Sequence, residues 1–364
     1  MWGDITIAFL LAFITSFVVT PYTIKFANKI GAVDSPKEER RVNNEPVPRL
    51  GGIAVILGFL LAVIYIMIIM SIENTISLWG EEQYGNKILG FFLGIIILGI
   101  TCFIDDHKGI APLTKLAGQL IAAIVVVYSG IRIENLNLPF FNEVGLNYTV
   151  SIIVTLGWIV GITNAINLID GLDGLSSGIG IISCLSLVIV FSLNNSPVIA
   201  VLCITALAGS LCGFLPYNYN PAKTFIGDTG SNFLGYSLSV ISILGVAKTY
   251  TAIVIVAPII VLGLPIFDTL WAIIRRAISG KSLKAIVQPD KKHLHHRLMA
   301  MGYTQKQAVL ILYGISATLG MAAIILLDSG IWKALSFIIM VAAVVAIGYK
   351  NIFKPKSEKS KEGS

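Results

Sequence analysis

Charge is what this chain has least of. Only 13% of its 364 residues are Asp, Glu, Lys or Arg, whereas an ordinary soluble domain carries about 25%. Hydrophobic residues make up 55% and the mean hydropathy is +0.84, which excludes a soluble globular domain and points to a polytopic membrane protein. Cysteine is also scarce. Cys102, Cys184, Cys203 and Cys212 all lie inside apolar segments without metal-ligand or redox spacing, so they read as small buried hydrophobes rather than as a disulfide or zinc framework. There is no internal repeat of the kind that marks many transporters. Met1 to Ile5 contains no basic residue and no small-residue cleavage pattern follows. The first apolar segment is therefore expected to stay as an anchor rather than be removed as a signal peptide.

What the chain has in abundance is membrane-length apolar sequence. A crossing helix needs about 20 apolar residues, and eleven such runs fall at 4–24, 50–70, 88–104, 116–130, 150–166, 174–193, 198–216, 231–246, 251–274, 307–327 and 331–349. The expected fold is thus an all-α polytopic membrane domain over 1–349, followed by a basic, disordered tail at 350–364. With the N-terminus outside, the segments 25–49, 105–115, 217–230, 275–306 and 350–364 face the cytoplasm and hold 22 of the 26 Lys and Arg residues. Lys87, Arg132, Lys248 and Lys333 remain outside. This asymmetry follows the positive-inside rule and puts the C-terminus in the cytoplasm. The excess positive charge suits anionic lipid and needs no nucleic acid. The outer segment 131–149 alternates apolar and polar residues around Pro139 and Gly145, the pattern of a short hairpin.

Four polar clusters interrupt the apolar sequence, all on the inner side of this threading: FIDDHKG at 103–109, NAINLIDGLDGL at 164–175, FIGDTGS at 225–231 and KKHLHHRL at 291–298. Ionisable groups beside a bilayer core are costly, so their recurrence at helix ends marks a functional site. The adjacent carboxylates Asp105 and Asp106 repel each other unless a cation lies between them, and Mg²⁺ bridging carboxylates to phosphate oxygens would supply one; a solvated helix end is the plain alternative. Asn164, Asn167, Asp170 and Asp173 recur every three residues, as one stripe of a helix, with Gly171 and Gly174 allowing a ligand near the backbone. A polar packing seam would explain the two Asn more readily than the two Asp. Thr229 and Ser231 can cap the helix that follows, which leaves Asp228 as a metal ligand.

His293, His295 and His296 lack the Cys or HExxH partners of a zinc site; with Lys291, Lys292 and Arg297 they suit phosphate. Lys281 and Lys284 suit anionic lipid. The first inner loop offers Asp34, Arg40, Arg41 and Arg49 beside the rigid exit PVPRLGG, and Arg favours bidentate phosphate contact. Asp268, behind Pro265 in an apolar run, reads either as the buried partner of an Arg or as a substrate contact.

Together the exit Pro46 to Gly52, Asp105-Asp106 followed by Pro112, Lys115 and Gln119, the NxxNxxDGxDGL and GDTGS motifs and the late histidines resemble the polyprenyl-phosphate N-acetylhexosamine-1-phosphate transferases over nearly the whole chain. HLHHRL resembles the bacterial N-acetylglucosamine (GlcNAc) branch of teichoic acid and O-antigen initiation; the muramyl-pentapeptide branch typically carries three consecutive histidines. Asn43 departs from the His that relatives often carry there. The resemblance implies transfer of GlcNAc-1-phosphate from UDP-GlcNAc to undecaprenyl phosphate, releasing UMP, at the cytoplasmic face of a bacterial plasma membrane. It implies Mg²⁺, with Mn²⁺ as a substitute. By carry-over Asp228 ligates the metal with Asp105 and Asp106, which also position or deprotonate the lipid phosphate, and Asn167 and Asp170 line the catalytic centre. Gly171, Asp173 and Phe225 hold the uridine. Asn218, Lys115 and the histidines contact diphosphate or sugar, Lys115 and the histidines as part of the catalytic set, and Asn164, Arg49 and Arg297 bind substrate. Direct attack and a covalent aspartyl intermediate both fit these residues, as do GlcNAc and its epimer, and a monomer or a homodimer. A muramyl-pentapeptide transferase and an anionic-substrate transporter are the rival readings; a transporter would place its polar groups near the bilayer midplane.

Overall fold

The computed structural model describes residues 2–34, 46–75, 84–136, 144–246, 252–279 and 293–352. Arg40, Arg41, Asn43, Lys281, Lys284, Lys291, Lys292 and the tail from 353 lie outside these residues. The described chain is almost wholly helical: α1 Trp2–Ile30, α2 Gly51–Ile72, α3 Tyr84–Lys108, α4 Pro112–Tyr128, α5 Tyr148–Ile169, α6 Leu175–Leu193, α7 Val198–Asn218, α8 Gly227–Val246, α9 Ala252–Val261, α10 Gly263–Ser279, α11 Leu294–Ala300, α12 Gln305–Ser329 and α13 Ile331–Ile352. Eight of them, α1, α2, α3, α5, α6, α7, α8 and α12, are long and apolar enough to cross a membrane, and α4 and 331–345 of α13 are shorter apolar helices. The run 251–274 is broken at Leu262 into α9 and α10. Pro265 has no N–H to donate back to Val261, so the hydrogen-bond ladder cannot run through this point.

Two short antiparallel pairs complete the fold. β1 (Val33–Asp34) pairs with β2 (Val47–Pro48), bracketing the first loop, and β3 (Asn135–Leu136) pairs with β4 (Val144–Gly145), the hairpin expected within 131–149.

α8 is the hub. Although one of the less apolar spans, it is almost wholly buried, packed by α2, α3, α5, α6 and α7. An aromatic cluster of Phe59, Phe91, Phe233 and Tyr236, with ring centroids 5.5 to 5.8 Å apart, fills the junction of α2, α3 and α8. Small residues bring helix backbones together, as membrane packing favours. A Cβ on Gly52 would sit 2.3 Å from the Gly230 Cα, so α2 and α8 touch backbone to backbone there. Large side chains such as Leu57, Leu61, Ile96 and Ile100 cover the outward faces, the surface expected against lipid.

Candidate active site

The contact of α2 with α8 fixes one wall of the site. The PVPRLGG exit is stitched to FIGDTGS through backbone hydrogen bonds: Phe225 N donates to Pro48 O at 2.8 Å, Gly51 N to Phe225 O at 3.0 Å and Gly52 N to Ile226 O at 2.9 Å. α3 ends beside the first turn of α8, and Gly109, at φ +69°, turns the chain into α4, whose first turn carries Lys115.

Asp105 and Asp106 then part company. Asp106 is 5% exposed and its carboxylate caps α8: Oδ1 accepts from Asp228 N at 2.8 Å, and Oδ2 from Thr229 N at 2.8 Å and Thr229 Oγ1 at 2.7 Å. A negative charge at a helix N-terminus meets both the free N–H groups and the dipole. Thr229 and Ser231, read above as the caps, are not the groups that close this end; Thr229 donates to Asp106 and Ser231 Oγ donates to Gly227 O at 2.9 Å. Asp105 points the other way, accepting from Ile110 N at 2.9 Å and pairing with Lys115 Nζ at 3.2 Å.

Lys115 is the centre of the polar layer. Its ammonium pairs with Asp228 Oδ1 as well as Asp105, and donates to Asn167 Oδ1 at 3.3 Å. Asn167 Nδ2 donates to Asp228 Oδ1 at 2.6 Å and to Ser231 Oγ at 2.9 Å. One turn further into the bundle, Gln119 Nε2 donates to Asn232 Oδ1 at 2.8 Å and Asn164 Nδ2 to Gln119 Oε1 at 2.7 Å, while Asn232 Nδ2 ties back to Asp228 O at 2.8 Å. Asn164 therefore belongs to a supporting amide layer, since each of these amides lies one turn from a member of the Lys115 layer.

The four-residue stripe expected over 164–173 is only half helical. α5 ends at Ile169, Asp170 is its C-cap and Gly174 is left-handed at φ +75° before α6 begins. Asp170 and Asp173 thus sit in a tight turn instead of on the α5 face. Asp170 Oδ1 accepts from Ser176 Oγ at 2.6 Å. Burial pushes the Asp170 carboxyl up to about 7, against the Ser176 hydrogen bond that holds it down. Asp173 Oδ2 accepts from Asn220 Nδ2 at 2.9 Å and Ala222 N at 3.0 Å. Tyr313 of α12 donates to Gly174 O at 2.5 Å, bracing the turn from behind.

These pieces surround a cleft of about 290 Å³, lined by Asp34, Arg49, Asp106, Asn167, Asp170, Gly171, Leu172, Asp173, Asn218, Phe225, Gly227, Asp228 and Gln305. Arg49 pairs with Asp34 at 3.1 Å. Asn218 borders the cleft, but its amide is engaged by Ser177 Oγ at 2.7 Å and Thr224 O at 3.0 Å.

The histidines stand behind the turn, not in the cleft lining. His295 packs on Gly171, where a Cβ would lie 2.3 Å from His295 Nε2. The ring is 2% exposed, neither nitrogen has a hydrogen-bond partner among the described residues, and burial followed by the neighbouring His296 and His293 lowers its pKa to about 3. Burial thus favours the neutral form of the ring. His293 Nδ1 meets Asp268 Oδ2 at 2.8 Å, and Leu294 N donates to Asp268 Oδ1 at 2.9 Å. Both oxygens of Asp268 are thus engaged at the start of α11, by the His293 ring and the Leu294 backbone. Arg297 is exposed and does not line the cleft.

The three carboxylates named as metal ligands form no preassembled cage; among the described residues no three His, Cys, Asp or Glu side chains gather as a metal site. The donor set still fits Mg²⁺, which keeps several waters and is usually bound by one or two carboxylates plus substrate phosphates. Asp228 already attracts a cation, the Lys115 ammonium, at the cleft wall.

Sequence reasoning missed Ser176, Asn220, Tyr313 and Gln305. They are ordinary polar residues outside the motifs, and only their proximity to the 170–174 turn marks them.

A bundle of membrane-length helices whose 103–109, 164–175 and 225–231 motifs converge on one acidic cleft, with Lys115 pairing Asp105 and Asp228 beside it, describes a class of integral membrane transferase, and the comparisons agree. Residues 88–246 match the model of glycosyl transferase family 4. The chain is 40% identical to the probable undecaprenyl-phosphate N-acetylglucosaminyl 1-phosphate transferase of Bacillus subtilis, over 93% of this chain and 89% of that one. It is 35% identical to the decaprenyl-phosphate N-acetylglucosaminephosphotransferase of Mycolicibacterium smegmatis, over 94% and 87%. Identity is 30% to the phospho-N-acetylmuramoyl-pentapeptide-transferase of Halalkalibacterium halodurans, over 87% and 95%. The chain belongs to the polyprenyl-phosphate N-acetylglucosamine-1-phosphate transferase family.

Proposed function

We propose that this protein transfers GlcNAc-1-phosphate from UDP-GlcNAc to undecaprenyl phosphate, giving undecaprenyl-diphospho-GlcNAc and UMP. The observation that carries the reading is the single cleft on which the 103–109, 164–175 and 225–231 motifs converge, with Lys115 bridging Asp105 and Asp228. An oxygen of the lipid phosphate forms the new P–O bond at the sugar-bearing phosphorus, and the P–O bond to UMP breaks. Such a reaction is governed by positioning and charge neutralisation.

Each residue has a part consistent with its surroundings. Lys115 donates to diphosphate oxygens, exchanging one of its carboxylate partners for substrate. Asn167 holds Asp228 in place through its amide. Asp105, with Lys115, receives the lipid phosphate. Arg49 and the Gly171–Asp173 turn hold the donor, and Phe225 offers its ring to the base. Asp228 would hold Mg²⁺, which when bound neutralises charge on the diphosphate. The basic split of 22 to 4 supports a cleft open to the cytoplasm from the plasma membrane. HLHHRL, lacking three consecutive histidines, supports a role at the first membrane step of a teichoic acid or O-antigen type polysaccharide.

The test is purified protein with undecaprenyl phosphate and either UDP-GlcNAc or UDP-MurNAc-pentapeptide, scored for UMP and the lipid product. UMP release with UDP-GlcNAc and none with the muramyl donor is the expected result. The reverse preference would overturn the assignment.

A further inference from the structure

Gln305, the first residue of α12, lines the cleft, and its neighbours determine which way its amide points. Asp173 is a carboxylate and can only accept, so the Asn220 atom 2.9 Å from its Oδ2 must be the NH₂ group. That same NH₂ lies 2.9 Å from Gln305, and its second hydrogen requires an acceptor there. The Gln305 atom facing Asn220 is therefore the carbonyl Oε1. The remaining end, Nε2, is a fixed two-hydrogen donor, and among the described residues nothing accepts from it. A donor whose orientation is set by a carboxylate two bonds away is suited to tell an acceptor from a donor on a ligand, because the pair cannot flip to suit the wrong partner.

The cleft lining also includes the Phe225 side chain and the exposed Gly171 backbone, surroundings that suit a flat ring. Uracil and cytosine differ at this level of chemistry: uracil carries a carbonyl acceptor at C4 where cytosine carries an amino donor.

We propose that Gln305 is a base-reading residue, whose carboxamide NH₂, oriented through Asn220 by Asp173, donates to a uracil carbonyl and excludes cytosine. The proposal rests on the reading of the donor as a UDP-sugar and deepens it by naming how the base is selected. Tyr313 and Gln305 give α12 two holds on the site, one on the turn that carries Asp170 and Asp173 and one on the base itself.

The substitution Gln305→Glu tests it cleanly. Glutamate keeps an oxygen to accept from Asn220, so the support is retained, while the outward donor becomes an acceptor. Binding of UMP and CMP to the purified full-length protein is measured by calorimetry for wild type, Gln305→Glu and the neutral Gln305→Met, with UDP-GlcNAc as a third ligand. Wild type is expected to favour UMP over CMP. Gln305→Glu should weaken UMP by about 10- to 100-fold, the scale of mismatching a hydrogen-bonding site, while CMP is unchanged or gains, so that the preference collapses or inverts. Gln305→Met should weaken UMP by about tenfold and move CMP little. Unchanged UMP binding in Gln305→Glu overturns the proposal. So does an equal loss of UMP and CMP, which is charge repulsion of any nucleotide, and so does a loss confined to UDP-GlcNAc, which assigns Gln305 to the sugar acetamide. Wild-type protein that binds no uridine nucleotide at all sinks the UDP-sugar reading itself and this proposal with it, an outcome distinct from the three above.

Discussion

Asp105→Asn and Asp106→Asn should differ in stability, although the two residues are adjacent and chemically identical. The Asp106 carboxylate accepts three hydrogen bonds from the first turn of α8. An Asn there keeps one acceptor oxygen and places an NH₂ where the other oxygen was. Thr229 Oγ1 can rotate to accept from that NH₂, but one backbone N–H, of Asp228 or Thr229, is left facing a donor. An unsatisfied buried N–H costs about 1–3 kcal/mol, and losing a negative charge at a helix N-terminus costs about 0.3–2 kcal/mol more. No longer burying a charge beside Asp228 acts in the opposite direction, so the net loss should be about 2 kcal/mol. Asp105→Asn keeps its acceptor for Ile110 N and leaves Lys115 paired with Asp228, so its stability should stay within about 1 kcal/mol of wild type, typical of a change that strands no buried group. Cys102, Cys184 and Cys203 are fully buried, and their reaction with a thiol-reactive fluorophore during heating in detergent reports unfolding. Asp106→Asn should melt several degrees lower and Asp105→Asn near wild type, while both lose UMP release. If Asp106→Asn melts with the wild type and only activity falls, the carboxylate works on substrate and its capping role is wrong.

Asp228→Asn keeps shape but removes the charge that a hard cation and Lys115 both need, so turnover should fall by about two orders of magnitude or more, the scale of losing a main charge-stabilising group. EDTA should abolish wild-type UMP release and Mg²⁺ restore it; near-normal turnover of Asp228→Asn at ordinary Mg²⁺ would move the metal to the Asp170 turn. Because burial raises the Asp170 carboxyl to about 7, activity that needs it ionised should rise with pH through that region. Ser176→Ala, removing the 2.6 Å hydrogen bond that favours the ionised form, should shift this limb to higher pH. An unmoved limb rules Asp170 out as the titrating group. The same raised value means that Asp170 favours the folded state fully below its unfolded value of 3.8 and loses that contribution as pH climbs to about 7. For topology, Glu73→Cys, at the exposed end of α2, should react with impermeant maleimide in intact cells, and the exposed Lys223→Cys only after the membrane is opened; the converse labelling would place the cleft outside.

The sequence by itself determined the class of protein and where its helices lie, because both depend on local quantities. Apolar runs of bilayer length have to satisfy their backbone internally, and each of the eleven runs coincides with helix over its described residues apart from end residues such as Leu50 and Gly174, one of them broken in two at Leu262, while eight helices are long and apolar enough to cross a membrane. The motifs were legible because each is a short string at a helix end. The tertiary structure decided which member of each motif does what. Asp106 reaches across 122 residues of sequence to cap α8, while Asp105, one position earlier and about 100° around the helix, faces Lys115 instead. Asn164 looked equivalent to Asn167 by spacing, but lies one turn deeper in an amide layer. The helical reading of 164–173 failed because the left-handed Gly174 and the Tyr313 hydrogen bond favour a turn that periodicity cannot foresee. Gln305 carried no sequence signal at all: its role depends on an Asn and an Asp from two other segments fixing its amide, a constraint that exists only once α12 packs against the cleft.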